Sequence, residues 1–147
     1  MKKRILVAIL LSVIAAVSYD DNKTYATEAM YGYVDIPTSG QTIARGAFYV
    51  AGWAFACSTG SAPVSMSIGL FNPSIGWWIP DITRYTGIHR PDVSAAYSGA
   101  CPNVTDYSGY HIYPSAWPPT GQWTLHVNWT DGVTSYNQNM PVTITEF

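Results

Sequence analysis

The stretch that decides the fold is "GQWTLHVNWTDG", residues 121–132. Between positions 123 and 130 the residues alternate: Trp, Leu, Val and Trp stand at the odd positions, and Thr, His, Asn and Thr at the even ones. Because successive side chains of a β-strand point to opposite faces of a sheet, this alternation predicts a strand with one buried and one solvated face. The Asp131-Gly132 pair that follows is typical of a turn.

On either side of this stretch, a similar strand-like pattern extends from Tyr31 to the C-terminus. Short runs of β-branched and aromatic residues alternate with clusters of turn formers, and no segment shows sustained helical spacing. Residues 71–108 contain little strand signal, which predicts one long loop. About seven short strands in one domain predict an all-β, antiparallel β-sandwich. The predicted strands are Tyr31–Asp35, Ala47–Ala56, Val64–Leu70, Trp77–Ile79, Gly109–Tyr113, Trp123–Thr130 and Met140–Thr145.

The N-terminus is typical of a secretory signal. A basic start at residues 2–4 precedes an apolar run, Ile5–Val17, that is short for a bilayer span. An uncleaved membrane anchor is the alternative. We therefore predict a secreted protein, extracellular or at the cell surface, with a signal peptide at 1–18 (or cleavage as late as residue 26), a linker at 19–30 and one domain at 31–147.

The charge of the chain after this signal is acidic. From Tyr19 onward there are four basic and nine acidic residues, a net charge of −5. So few basic residues are not expected to form the positively charged surface that binds a phosphate backbone. Nucleic acid is therefore not an expected partner. For the same reason an anionic membrane is a poor partner, and no membrane insertion is expected after signal removal.

Cys57 and Cys101 are the two cysteines of the chain. An even number in an exported protein favours a disulfide, with two free buried thiols as the alternative. Zinc sites use four ligands, and neither cysteine has a His or Cys close in sequence, so no metal site is expected.

Three motifs support a resemblance to a known family. They are "GWAFA" (52–56), "RPDVSAAYSGACPNV" (90–104) and the closing "GQWTLHVNWTDG". Together they resemble a family of bacterial immunoglobulin-like domains, in which a Gly-Trp-Ala strand, an Arg-Pro-Asp-Val loop and a Gly-Thr-His-Thr-Leu-like strand recur in this order. The resemblance implies an immunoglobulin-like sandwich and a spacer or binding module. Members often carry a Cys where this chain has Ser94, so a Cys57–Cys101 bond would tie the loop to the Gly-Trp-Ala strand instead.

The Arg-Pro-Asp stretch of the loop admits two interpretations. Asp92 precedes a segment able to form a helical turn, and Asp is a favoured N-cap. Pro91 restricts Arg90 to an extended conformation, from which its side chain can reach carbonyls, an acid or an aromatic face such as Trp53. We predict that Arg90, Asp92 and Trp53 are structural. The alternative is an arginine that binds a ligand.

Aromatic residues in or near loops are the candidate binding residues. An exposed cluster of this kind can stack on sugar rings or anchor a protein interface. The alternative is a small satellite core under the long loop. The candidates are Trp77, Trp78, Tyr85, Tyr113 and Trp117.

Catalytic signatures do not stand out. The sequence has no nucleophile-elbow, zinc-protease or phosphate-loop motif, and its histidines, His89, His111 and His126, stand on separate predicted elements. We therefore expect no enzyme activity and no cofactor. The predicted function is a secreted, non-catalytic, immunoglobulin-like interaction or adhesion module of a bacterial surface or extracellular system. The alternative is a carbohydrate-binding domain that uses loop aromatics, so the expected partner is an extracellular protein or a glycan.

Overall fold

The structure is a computed structural model that describes residues 29–60, 62–63 and 65–147. The predicted signal peptide and most of the predicted linker lie outside the described residues. Nine strands, one short α-helix and a 3-10 turn at Arg45–Ala47 form the described part. The strands and the α-helix are β1 (Met30–Ile36), β2 (Thr42–Ala44), β3 (Val50–Ala56), β4 (Ser65–Asn72), β5 (Gly76–Trp78), β6 (Ile82–Ile88), α1 (Pro91–Tyr97), β7 (Gly109–Pro114), β8 (Gly121–Thr130) and β9 (Ser135–Thr145).

The strands form two sheets packed as a sandwich. The four-stranded sheet has the order β1-β3-β7-β6, and the five-stranded sheet has the order β2-β9-β8-β4-β5. Every pairing is antiparallel except β2 with β9, which is parallel. The predicted β-sandwich is confirmed, but with nine strands rather than about seven.

Two strands that the sequence analysis missed are edge strands. β2 borders the five-stranded sheet, and β6 borders the four-stranded sheet inside the region predicted as a long loop. Residues 71–108 therefore hold β5, β6 and α1, and the prediction of one long loop is wrong. An edge strand has one neighbour, and the side chains of β6 from Thr83 to Gly87 are exposed. A strand whose side chains are exposed needs no alternation of apolar and polar residues, so the sequence of β6 did not show the pattern that predicts a strand.

The main core lies between the inner faces of the sheets. In β8 the odd positions 123 to 129 are buried and the even positions are partly exposed, as the alternation predicts. The inward residues of β3 and β7 meet them from the other sheet. The largest fully buried side chains of this core include Trp129, Tyr110, Leu70, Ile112 and Leu125.

Gly52 of the Gly-Trp-Ala motif is required by close packing. It lies opposite Tyr110 of β7 and Val34 of β1. A Cβ atom at this position would stand 2.0 Å from the Tyr33 carbonyl oxygen and 2.9 Å from the Tyr110 hydroxyl. That hydroxyl donates to the Tyr33 carbonyl at 3.4 Å. The missing side chain therefore leaves the space in which a buried tyrosine crosses to strand β1.

We predict that Gly52→Ala destabilises the fold. The added methyl meets backbone, which cannot move aside as a flexible side chain can, so the free energy of unfolding should fall by about 1–3 kcal/mol or more. Gly99→Ala is the matched control, because a Cβ at Gly99 meets open space. Urea unfolding of the two variants beside the parent measures the difference. Equal midpoints for Gly52→Ala and the parent would contradict the packing argument.

Candidate functional site

A segment that follows β6 covers part of the outer face of the four-stranded sheet. This cover segment, residues 89–108, contains α1 and the turns after it. Its Val93, Cys101 and Tyr97 pack against Phe55 and Trp53 of β3 in a second apolar cluster. The Tyr97 ring centroid lies 5.1 Å from that of Trp53 and 5.5 Å from that of Phe55. One part of the predicted aromatic excess is thus a satellite core.

A disulfide fixes the cover segment to the sheet. Cys57 and Cys101 are bonded across a sequence separation of 44 residues. The predicted disulfide is confirmed, and the alternative of two free thiols is wrong. Cys57 directly follows β3 and Cys101 follows α1, so the bond holds the C-terminal end of the helix over the Gly-Trp-Ala strand.

Arg90 fixes the other end of the cover segment. Its Nε and Nη2 atoms donate to the two carboxylate oxygens of Asp92 at 2.9 and 2.7 Å. Its Nη1 atom donates to Asp35 of β1 at 2.6 Å. Of the partners expected for Arg90, the structure selects acids, while Trp53 packs against Phe55 and Tyr97.

The predicted N-cap role of Asp92 is wrong. The N-cap residue of α1 is Arg90, with no side-chain cap bond, and Pro91 occupies the first turn. Asp92 lies two residues after the N-cap position, and its carboxylate turns back to the guanidinium group. The hydrogen bond from Arg90 lowers the pKa of Asp92, and the bond to Asp92 raises the pKa of Arg90. The Arg90 side chain is one-quarter exposed, and its stem lies over Gly109 of β7.

The structure places the five candidate aromatic residues in four separate environments. Trp77 lies on the outer face of the five-stranded sheet, and Trp78 turns inward to pack against the main core beside Phe48, at 6.4 Å. Tyr85 and Tyr113 lie together on the outer face of the four-stranded sheet, with ring centroids 5.9 Å apart. Trp117 lies after β7. The candidates therefore do not form one site.

Trp117 belongs to a packed group near the C-terminus. Its ring meets Phe147 edge-on at 4.5 Å, and the Arg45 guanidinium lies 6.0 Å from its centroid. Arg45 also lies 5.7 Å from the Phe147 ring and pairs with Glu146 at 3.6 Å. These contacts bind the turn after β2 to the last residues of the chain.

Tyr85 and Tyr113 form a tyrosine surface together with Tyr49 and His111. Tyr49 stacks on Tyr113 at 5.6 Å with an interplanar angle of 16°. Across the sheet, His111 stands opposite Tyr85 and Thr83 opposite Tyr113. The rings contact one another, but Tyr85 and Tyr113 remain 57% and 42% exposed.

Trp77 is arranged differently. Its indole ring leans over Gly69 of β4, where a Cβ atom would stand 3.2 Å from the ring. His126 and Phe71 flank it, with centroids 4.6 and 5.0 Å away at tilted angles. These four residues are called the Trp77 platform below. Trp77 remains 54% exposed, so the ring lies on the sheet with apolar area open to solvent.

Uncharged polar side chains continue from the platform across the same face. The ladder aligns Ser67 of β4 with Asn128 of β8 and Asn137 of β9, and aligns Gly69 with His126 and Asn139. The amide of Asn128 donates to the Asn137 side-chain oxygen. These four side chains, Ser67, Asn128, Asn137 and Asn139, are called the polar patch. With Trp77, Ile79 and His126 they line a shallow depression.

The polar patch was not among the predicted site residues. The signal for it was present, because the alternation at 123–130 assigns His126 and Asn128 to one outer face. What the sequence did not show was the register, which brings Ser67 and Asn137 beside them.

The described residues contain neither a metal-binding cluster nor a membrane-spanning helix. In ranges 29–60, 62–63 and 65–147 no group of three or more His, Cys, Asp or Glu side chains could hold a metal ion. Over the same part of the chain, no helix is both long and apolar enough to cross a membrane.

We predict that Arg90→Ala destabilises the domain by about 1–2 kcal/mol, because the charged hydrogen bonds to Asp35 and Asp92 are lost. Arg90→Lys should restore little of this, since a lysine cannot form the two-pronged contact. Thermal unfolding at pH 7 measures both variants beside the parent, and an Arg90→Ala melting temperature equal to that of the parent would contradict the structural role.

The same contact predicts a pH dependence. The pKa of Asp92 is lowered in the folded state, so its contribution is present above the ordinary Asp value of about 3.9 and is lost as the pH falls below it. The stability difference between the parent and Arg90→Ala should therefore shrink in acid. A difference that stays constant from pH 7 to pH 2 would contradict the ion pair.

The chain was also compared with known proteins. No family model and no curated protein sequence matches it. The resemblance to bacterial immunoglobulin-like domains therefore stays a prediction, and the functional argument depends on the surfaces described above.

Proposed function

We propose that this protein is a secreted, non-catalytic binding module of a bacterial surface or extracellular system, and that it binds its partner through the Trp77 platform. The observation that supports the proposal is the placement of Trp77, which is 54% exposed on a sheet face while Phe71 and His126 hold its ring in position. A large exposed aromatic ring beside hydrogen-bonding groups is the usual composition of a recognition surface.

The disulfide supports the extracellular part of the proposal. Cys57 and Cys101 are bonded, and such bonds persist in oxidising compartments outside the cytoplasm. The basic and apolar start of the sequence is the signal that would direct export.

The rigid support of the platform favours binding over an accidental exposure. Trp77 follows the short turn between β4 and β5, and its strand pairs with β4 through Phe71. Asn72 tightens this turn, because its side-chain oxygen accepts from the Ser74 backbone at 2.8 Å while its amide donates to the Gln122 carbonyl at 2.8 Å. A ring held on a fixed strand loses little conformational entropy when a partner covers it.

The neighbouring polar groups set the platform apart from the other exposed aromatics. Tyr85 and Trp117 are about as exposed as Trp77, at 57% and 60% against 54%, but Tyr85 lies among other rings and Trp117 is held by Arg45 and Phe147. Trp77 lines a depression together with the side-chain amides of the polar patch.

Export can be tested directly. Expressed with its own N-terminus in a bacterium, the protein should leave the cytoplasm and lose its signal, so that N-terminal sequencing finds a start between Tyr19 and Thr27. An intact Met1 on exported or cytoplasmic protein would contradict the signal peptide. A chain with cysteines replaced by serine should be exported equally, because the signal acts before the domain folds.

Binding is tested on a panel of immobilised surfaces. We expect the protein to be retained on at least one of insoluble cellulose, chitin, peptidoglycan or a collagen coat, and Trp77→Ala to lose this retention. The matched control is Tyr85→Ala, which removes an aromatic ring of similar exposure from the other sheet. Thermal melting shows that both variants fold. Equal retention of Trp77→Ala and parent, or retention by neither on any surface, would overturn the proposal.

A further inference from the structure

We infer that the ligand of the Trp77 platform is a neutral polysaccharide, with one sugar ring stacked on Trp77 and its neighbours hydrogen-bonded to the polar patch. This inference rests on the proposed function, because it names the ligand class of the same surface. Stacking, hydrogen bonding and the charge of the face each support it.

The platform offers the flat apolar area that a sugar ring needs. One face of a pyranose carries mostly C–H groups, which pack against an aromatic ring in the same way as other apolar groups. Gly69 gives the Trp77 ring its position, since a Cβ there would stand 3.2 and 3.3 Å from Cζ3 and Cε3 of the indole. Ile79, 71% exposed, stands beside it and extends the apolar area.

The polar patch matches the hydroxyl groups of a sugar. A hydroxyl both donates and accepts, and the side-chain amides of Asn128, Asn137 and Asn139 do the same. In the bond between Asn128 and Asn137 the first donates and the second accepts. The Asn128 oxygen and the Asn137 amino group are not used in that bond, so each can meet a ligand hydroxyl.

His126 connects the stacking and the hydrogen-bonding parts. Its Nε2 atom is covered from solvent and has no hydrogen-bond partner within the described residues. A buried polar atom without a partner is unfavourable. The Trp77 ring packs against this imidazole with centroids 4.6 Å apart, so Nε2 lies at the border between the stacking ring and the polar patch.

The charge of the face excludes an ionic ligand. Every outward residue of β4, β8 and β9 on this face is uncharged or histidine: Ser65, Ser67, Gly69 and Phe71, then Gln122, Thr124, His126, Asn128 and Thr130, then Ser135, Asn137, Asn139, Pro141, Thr143 and Thr145. A sulfated or uronic-acid polymer would lose water from its charges and gain no cation here. A neutral polymer loses nothing of this kind.

The shape favours a chain of sugars over a single unit. The platform is on β5 at one side and Asn139 and Asn137 are on β9, three strands away. With a strand spacing of about 4.8 Å, the polar and stacking groups span about 14 Å across the sheet. The face is open along this direction, so the polymer crosses the strands with its ends in solvent.

The test uses the purified protein and soluble probes of known charge. Affinity is measured by titration with cellohexaose and chitohexaose as neutral probes, and with oligogalacturonate and heparin as anionic probes. We expect binding to a neutral probe, nearly unchanged between 50 and 500 mM NaCl, because no ion pair contributes. Trp77→Ala should weaken it by about 5- to 150-fold, as the loss of one stacking ring does.

Three variants separate the parts of the site. Trp77→Phe should retain part of the affinity, because a smaller ring still stacks. Asn128→Ala should weaken binding through the hydroxyl contacts while leaving the platform in place, and Tyr85→Ala, on the other sheet, should bind as the parent does. Melting curves show that each variant folds.

Two results would overturn the inference, and they differ in what they leave standing. Trp77-dependent binding to an anionic probe or to the collagen coat, with none to the neutral probes, contradicts the ligand class but keeps the proposed binding function. Absence of Trp77-dependent binding to any probe or surface contradicts both. If salt strongly weakened binding to a neutral probe, this would also contradict the inference that no ion pair contributes to the contact.

Discussion

The guanidinium group of Arg90 bonds to carboxylates from two parts of the chain, and much of the molecule depends on this contact. Asp92 is a near neighbour on the cover segment, but Asp35 lies on β1, 55 residues earlier. The fork to Asp92 orients the arginine, and the remaining nitrogen then reaches the sheet. A flexible lysine would have to give up more conformational freedom to make the same contacts. This contact fixes the start of the cover segment to the sheet, and the disulfide at Cys101 fixes the part of the segment that follows α1.

The cover segment is needed because the sheet below it is apolar on both faces. Phe55 and Trp53 point away from the main core, and without a cover they would face water. Burial of such rings is favourable by about 1.5–3 kcal/mol each, but it requires that a polar, turn-rich segment be ordered over them. The two fixed ends reduce the entropy cost of that ordering, since the segment between them has few conformations left. The Gly-Trp-Ala and Arg-Pro-Asp motifs thus act together, although they lie far apart in the sequence.

The sequence predicted the strands that alternate between a buried and a solvated face, and it missed two edge strands, β2 and β6, although it found the edge strands β1 and β5. The alternation in β8, and that of residues 66, 68 and 70 in β4, follows from a buried inner face, so both were found. β2 and β6 lie at sheet edges and bury little, so no periodicity marked them. Asp92 was misassigned for a different reason, since an aspartate just before a helix serves equally well as a cap or as an ion-pair partner. Only the position of Arg90 decides between these roles.

The candidate site was harder to predict, because a binding face is a property of register. From sequence, Trp77 and Trp78 could be assigned to opposite faces of a strand, but not to solvent or core. The structure separates them through β4, where Leu70 opposes Trp78 and Phe71 opposes Trp77. Leu70 is fully buried, so Trp78 must turn inward with it, and Trp77 must turn outward.

Gly69 completes this arrangement. An outward side chain at that position would occupy the space in which the Trp77 ring lies, and the ring would stand away from the sheet. With glycine the indole can lie down beside His126 and present its face. The glycine at this outward position of β4 is therefore what allows the platform to be flat. The apolar residues of β4 predict the strand, but they do not indicate this role of Gly69.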